Sequence, residues 1–148
     1  TIDHVGAYIL PDMHWLKAVG RVAPVIFFFF AGYSRSRHFS REIWVYAALI
    51  TLLHPFFGYT IFPLNVLVGI LISRAVLNLL THYNMLPSRV PEMIVVCTVL
   101  SLFILPFFEY GTIGVLIALF GRMVREQQVK ASRILAIASY ILFMFWEM

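Results

Sequence analysis

The sequence holds one cysteine, Cys97, and therefore no disulfide framework. Cys97 lies inside an apolar run, where a free thiol behaves as a small buried hydrophobe. Charge is scarce as well. Asp, Glu, Lys and Arg make up 12% of the 148 residues, against about 25% in an ordinary soluble domain. With half the usual charge, the chain cannot coat a water-facing surface. Soluble-enzyme signatures are missing: no phosphate-binding glycine loop, no dinucleotide fingerprint, no zinc spacing and no Gly-x-Ser-x-Gly. No internal repeat or low-complexity segment stands out.

What is present is hydrophobic. Apolar residues are 61% of the chain and the mean hydropathy is +0.90. At ~20 residues per span, that predicts an all-α, polytopic transmembrane helix bundle of about six or seven spans. The whole chain, 1–148, is then one membrane domain with the lipid bilayer as its first partner. Residues Thr1 to Leu10 are too few to span and have no signal-peptide pattern, so they read as the last turns of a truncated first helix. The expected loop Pro11 to Gly20 leads to spans near 21–33, 42–57, 61–83, 91–108, 110–123 and 134–146.

The net charge is +4 and the pI about 9.5. The cations fall in short clusters between apolar runs, as topology determinants do, which argues against nucleic acid as a partner. Arg35, Arg37 and Arg41 form one cluster, Arg122, Arg125, Lys130 and Arg133 another, and Arg89 a weaker one. If seven spans alternate, these share one, cytoplasmic, side. Lys17 and Arg21 break the pattern, which hints at a task for some of the charges near them.

An ionisable residue inside an apolar span is a functional candidate by default. Asp3 and His4 lie near the end of the first expected helix, and Arg21 opens the next. Neighbouring residues point about 100° apart on a helix, so Asp3 cannot orient His4 directly. Arg21 is placed to pair with Asp3, leaving His4 free as a general base. The plainer reading is an Asp3–Arg21 packing pair with His4 bonded to a carbonyl. Arg74 interrupts another span, with Asn78 one turn along the same face. Arg74 either extends to the interface or binds a phosphate or carboxylate. His54, beside Pro55, and Glu109-Tyr110-Gly111 complete the polar set. His54 and His82 fall at different depths, so neither haem nor a metal is expected.

Several segments resemble one family. Ile2-Asp3-His4-Val5-Gly6-Ala7, a short loop, and Gly20-Arg21-Val22-Ala23-Pro24-Val25-Ile26-Phe27 look like the opening motifs of the TraX family. Leu64-Asn65-Val66-Leu67-Val68-Gly69 is similar to its mid-chain helix, and Glu109-Tyr110-Gly111-Thr112-Ile113-Gly114-Val115-Leu116 to its DYGxxGVL segment, with Glu109 where the family usually has Asp. The resemblance implies a multi-pass protein of the bacterial inner membrane that acetylates a protein N-terminus, or another amine or hydroxyl, from acetyl-CoA as co-substrate. It also implies a catalytic base at His4, electrostatic support from Asp3 and Arg21, and a secondary role for Tyr110. Arg74, Asn78, Arg122 and Arg125 are the candidates for binding the coenzyme's phosphates. The competing expectations are a non-catalytic auxiliary subunit of a larger membrane complex and, more remotely, a small transporter, which usually shows a second half echoing the first.

Overall fold

The structure, a computed structural model, describes residues 14–35, 41–53, 56, 66–83, 89–104 and 110–147, and their side chains apart from those of 14–21, 101–104 and 145–147. Among these residues there are six helices: α1 (His14–Tyr33), α2 (Arg41–Leu53), α3 (Val66–His82), α4 (Val90–Ile104), α5 (Gly111–Arg125) and α6 (Val129–Glu147).

α5 is the axis of the bundle. Its sequence, Gly-Thr-Ile-Gly-Val-Leu-Ile-Ala-Leu-Phe-Gly, carries no charge before Arg122 and is apolar on every side. A helix apolar all round must be surrounded. Accordingly α1, α3, α4 and α6 all pack on α5, while among the described residues α2 reaches the bundle only through α3. Leu116, Ala118 and Met123 have no exposed surface. Two apolar clusters run along α5, one with Leu77, Leu119 and Leu135 and the other with Phe28, Ile70 and Ile113.

Glycine sets how closely α1 meets α5. A methyl group on Gly32 would strike the Ala118 carbonyl, and one on Gly121 would strike the Phe29 carbonyl. Backbone therefore meets backbone, the close approach that small residues permit between helices.

The ends of α5 are marked. Tyr110, just before it, has φ 65°, and Gly111 has φ 37°. At its other end, Gln128 N–H donates to the Met123 carbonyl (2.9 Å) and Gln127 N–H to the Val124 carbonyl (3.1 Å). With Gln127 at φ 58°, this is a Schellman-type stop in which glutamine occupies the position glycine usually takes. The chain reverses at once into α6.

The expected transmembrane bundle is corrected here. The all-helical class holds, but no helix of the described residues is long and apolar enough to cross a membrane. α2 to α5 have 13 to 17 residues, about 20–25 Å against a hydrocarbon core of about 30 Å. α1 reaches 20 residues but includes Lys17 and Arg21, and α6, at 19, includes Lys130, Arg133 and Glu147. Hydropathy alone overstates the spans because its averaging takes no account of helix length. The expected loop Pro11 to Gly20 is also shorter, since the chain is helical from His14, and α6 begins at Val129 rather than 134.

The outer faces remain apolar. Phe27, Phe30, Trp44, Leu52, Val95 and Ile137 are all exposed. Exposed apolar side chains in this number suit contact with something other than water.

Candidate anion-binding cavity

Three helix ends converge on a polar cavity of about 290 Å³. α1 supplies Ala31 and Gly32 and the residues just after it, Ser34 and Arg35. α3 supplies Arg74 and Asn78, and the last turn of α5 supplies Arg122 and Arg125. Arg74 and Asn78 are one turn apart, so the helix puts both on the side facing α1.

The arginines of α5 are held by the neighbouring helix ends. Arg125 Nη1 donates to the Ser34 carbonyl at 2.5 Å and to the Tyr33 carbonyl at 3.4 Å. These are terminal carbonyls of α1, which have no partner within their own helix. Arg122 Nη1 donates to Thr81 Oγ1 and, at 3.5 Å, to the Leu77 carbonyl on α3. Glu126 takes Arg122 at 2.7 Å and Arg125 at 3.6 Å.

Helix capping alone does not account for so much positive charge. Three C-terminal ends together present about one and a half negative charge equivalents, and Glu126 adds one. Four guanidiniums exceed that. Arg74 is buried, and its pKa is pulled down by burial and then by the nearby Arg125 cation. Its ordinary value is so high that it stays charged. Burial is the larger cause and the Arg125 cation the smaller, and a bound anion would offset both. A guanidinium has five donors in a fork matched to phosphate or carboxylate, and the capping bonds engage only one nitrogen each of Arg122 and Arg125.

Of the residues singled out in the sequence, Arg74, Asn78, Arg122 and Arg125 line this one cavity. Tyr110 is elsewhere. It is buried between Phe28 (ring centroids 6.1 Å) and Phe143 (6.5 Å, stacked). Arg21 belongs to α1 by its backbone, but its side chain, like Asp3, His4, His54 and Glu109, lies outside the described residues. Sequence reading missed Ser34, Arg35 and Thr81. Arg35 looked like one cation of a topology-setting loop, and only its place directly after an apolar helix could have marked it as a cavity residue. Among the described residues, no group of three His, Cys, Asp or Glu converges on a point.

The class defined so far is an all-helical bundle around one buried axis, with an arginine-lined cavity where three helices end. The family model for TraX protein matches residues 1–147, and the chain belongs to the TraX family. It is also similar to an uncharacterised protein, RP591, of Rickettsia prowazekii (strain Madrid E), with 28% identity over 74 residues. That match covers 50% of this chain and 30% of the relative, so the chain spans only part of that protein's length. No solved structure matches.

Proposed function

We propose that the protein is an acyl-CoA-dependent transferase that moves an acetyl group to a protein N-terminus or to another amine or hydroxyl. The observation that carries this reading is the arginine cavity. Four guanidiniums and, among the described residues, a single nearby carboxylate suit a polyanion, and the phosphates of coenzyme A are such a group. The acyl-transfer chemistry is what the resemblance to the TraX family implies.

Acetyl-CoA would supply an activated thioester. In the transfer, the acceptor's lone pair forms a bond to the acyl carbon, the carbon–sulfur bond breaks, and coenzyme A leaves as the thiolate. A base takes the acceptor's proton and a cation steadies the developing oxyanion. On this reading His4 is the base, with Asp3 and Arg21 as its supports. The phosphates would be held by Arg35, Arg74, Arg122 and Arg125, with Asn78 as an additional donor. The reading includes a location at the bacterial inner membrane, supported by the exposed apolar outer faces.

The test is transfer of radiolabelled acetyl from acetyl-CoA to peptides with free N-termini. His4→Ala should abolish transfer while coenzyme A binding persists. Full activity in that variant would remove His4 from the mechanism.

The same exposed apolar faces favour a second reading, a non-catalytic subunit within a larger membrane complex. Copurification at fixed stoichiometry, together with no coenzyme A binding, would select it.

A further inference from the structure

The charge around the arginine cavity sets how much negative charge its ligand brings. Among the described residues, Arg35, Arg74, Arg122 and Arg125 supply the positive side. Three helix ends at about half a negative charge each, together with Glu126, leave a surplus near +1.5. A lone carboxylate falls short of that and a triphosphate overshoots it. A phosphomonoester carries about 1.5 to 2 negative charges at neutral pH, with three oxygens free to accept hydrogen bonds. It closes the balance.

Size and lining narrow the ligand further. The cavity, about 290 Å³, stands at the bottom of the ~300–1,000 Å³ range of sites that enclose a whole small molecule. Among the described residues, Ala31, Gly32 and Leu77 are its apolar lining, and no aromatic ring lines it. A nucleobase would find no stacking face there. Arg74 is buried and Arg35 exposed, so cations stand both deep in the cavity and at its rim. One terminal phosphate can enter such a space, while the rest of its molecule stays outside.

The larger slot between α3 and α4, about 500 Å³, offers no such match. Those helices pack on α5 but, among the described residues, not on one another, and the slot is apolar along its walls. Its charged lining residues, Arg89 and Glu92, offset each other.

We propose that the arginine cavity is a site for a single phosphomonoester, and that in coenzyme A it takes the ribose 3′-phosphate. This rests on the coenzyme A reading above and narrows it. The 3′-phosphate is the one terminal phosphate of that molecule and can be received from one side. The diphosphate bridge carries similar charge, but a chain leaves from each of its ends, so it lies outside the cavity. The four guanidiniums then determine specificity. They select the phosphate that dephospho-coenzyme A lacks.

The test is displacement of bound tritiated coenzyme A by unlabelled coenzyme A and by dephospho-coenzyme A. It is run on the parent, Arg35→Gln and Arg74→Gln, with helical content checked. In the parent, dephospho-coenzyme A should compete at least ~tenfold more weakly, since hydrogen bonds between charged partners are lost. Each variant should bind coenzyme A more weakly and dephospho-coenzyme A as the parent does, so the gap between the ligands narrows. Arg35→Gln, at an exposed position, carries the test should Arg74→Gln fail to fold. Equal affinity for the two ligands in the parent, with both weakened by Arg35→Gln, puts the diphosphate in the cavity. That overturns the inference and leaves the coenzyme A reading standing. A parent preference that persists undiminished in the folded variants places the 3′-phosphate elsewhere and also overturns it. Absence of any coenzyme A binding by the parent overturns both.

Discussion

Arg125, in the last turn of α5, donates a 2.5 Å hydrogen bond to the carbonyl of Ser34, 91 residues earlier in the chain, just beyond the end of α1. That bond fixes where two helices end relative to one another, at a residue that also lines the cavity. A group that both builds the site and serves it should fail in two distinguishable ways when removed.

Arg125→Gln should lower stability even without ligand, through loss of bonds to the Tyr33 and Ser34 carbonyls. A hydrogen bond to a charged group is worth about 1.5–3 kcal/mol, and partial exposure of Arg125 reduces this to ~1–2 kcal/mol. At this chain length, thermal unfolding should fall by roughly 3–8 °C. Arg35→Gln, at an exposed position just beyond α1, should leave the midpoint within ~1–2 °C of the parent. Equal losses in the two variants would remove the capping role.

Gly32→Ala should cost far more than an ordinary glycine substitution. In an open helix the exchange is favourable by about 1 kcal/mol. Here the new methyl group meets the Ala118 carbonyl, a backbone atom that cannot rotate away. A loss of roughly 2–4 kcal/mol is expected. Gly114→Ala meets only the Phe28 ring and should be milder. Chemical denaturation of both variants reads the difference, and a Gly32→Ala protein as stable as the parent would refute the close crossing.

Tyr110→Gly sets two effects against each other. Glycine relieves the positive φ, worth about 1 kcal/mol. It also removes a buried ring packed on Phe28 and Phe143, and large-to-small losses of this kind cost roughly 3–5 kcal/mol. Packing wins, and the variant should lose ~2–4 kcal/mol of unfolding free energy by the same measurement.

Burial pushes the Cys97 thiol up to about 11. Only the thiolate alkylates. Free cysteine, with a pKa near 8.5, levels off roughly one to two pH units above that value, and Cys97 labelling should keep rising past that point. The stability term has the matching sign. The folded state retains the proton longer, so this contribution is present at neutral pH and lost as pH climbs through the folded value. A labelling curve that levels off with free cysteine would show an exposed thiol instead.

The sequence made the helical class and the helix order legible, because apolar runs broken by Pro55, Pro63, Pro87 and Pro106 divide the chain into short pieces. It did not make the lengths legible. Hydropathy averages across helix breaks, so the stretch expected to start at Ile61 is a described helix only from Val66. α1 is longer than expected because Lys17 gives the stretch before Arg21 a loop-like charge, whereas helices carry Lys readily. Arg74 and Asn78 were legible as a pair through their one-turn spacing. Arg122 and Arg125 stood out because cations are rare in this chain. Ser34 and Thr81 were not, since a carbonyl or hydroxyl that receives an arginine from another helix leaves no local pattern. The slot between α3 and α4 was hidden for a similar reason. It arises from two helices that do not touch, which neither helix encodes alone.

Calorimetric titration of the purified protein with coenzyme A and with dephospho-coenzyme A tests the arginine cavity most directly. The account predicts saturable binding of coenzyme A, weakened at least ~tenfold by Arg74→Gln together with Arg35→Gln, with helical content and thermal midpoint checked alongside. Binding of equal strength in the parent and in that folded double variant would contradict it.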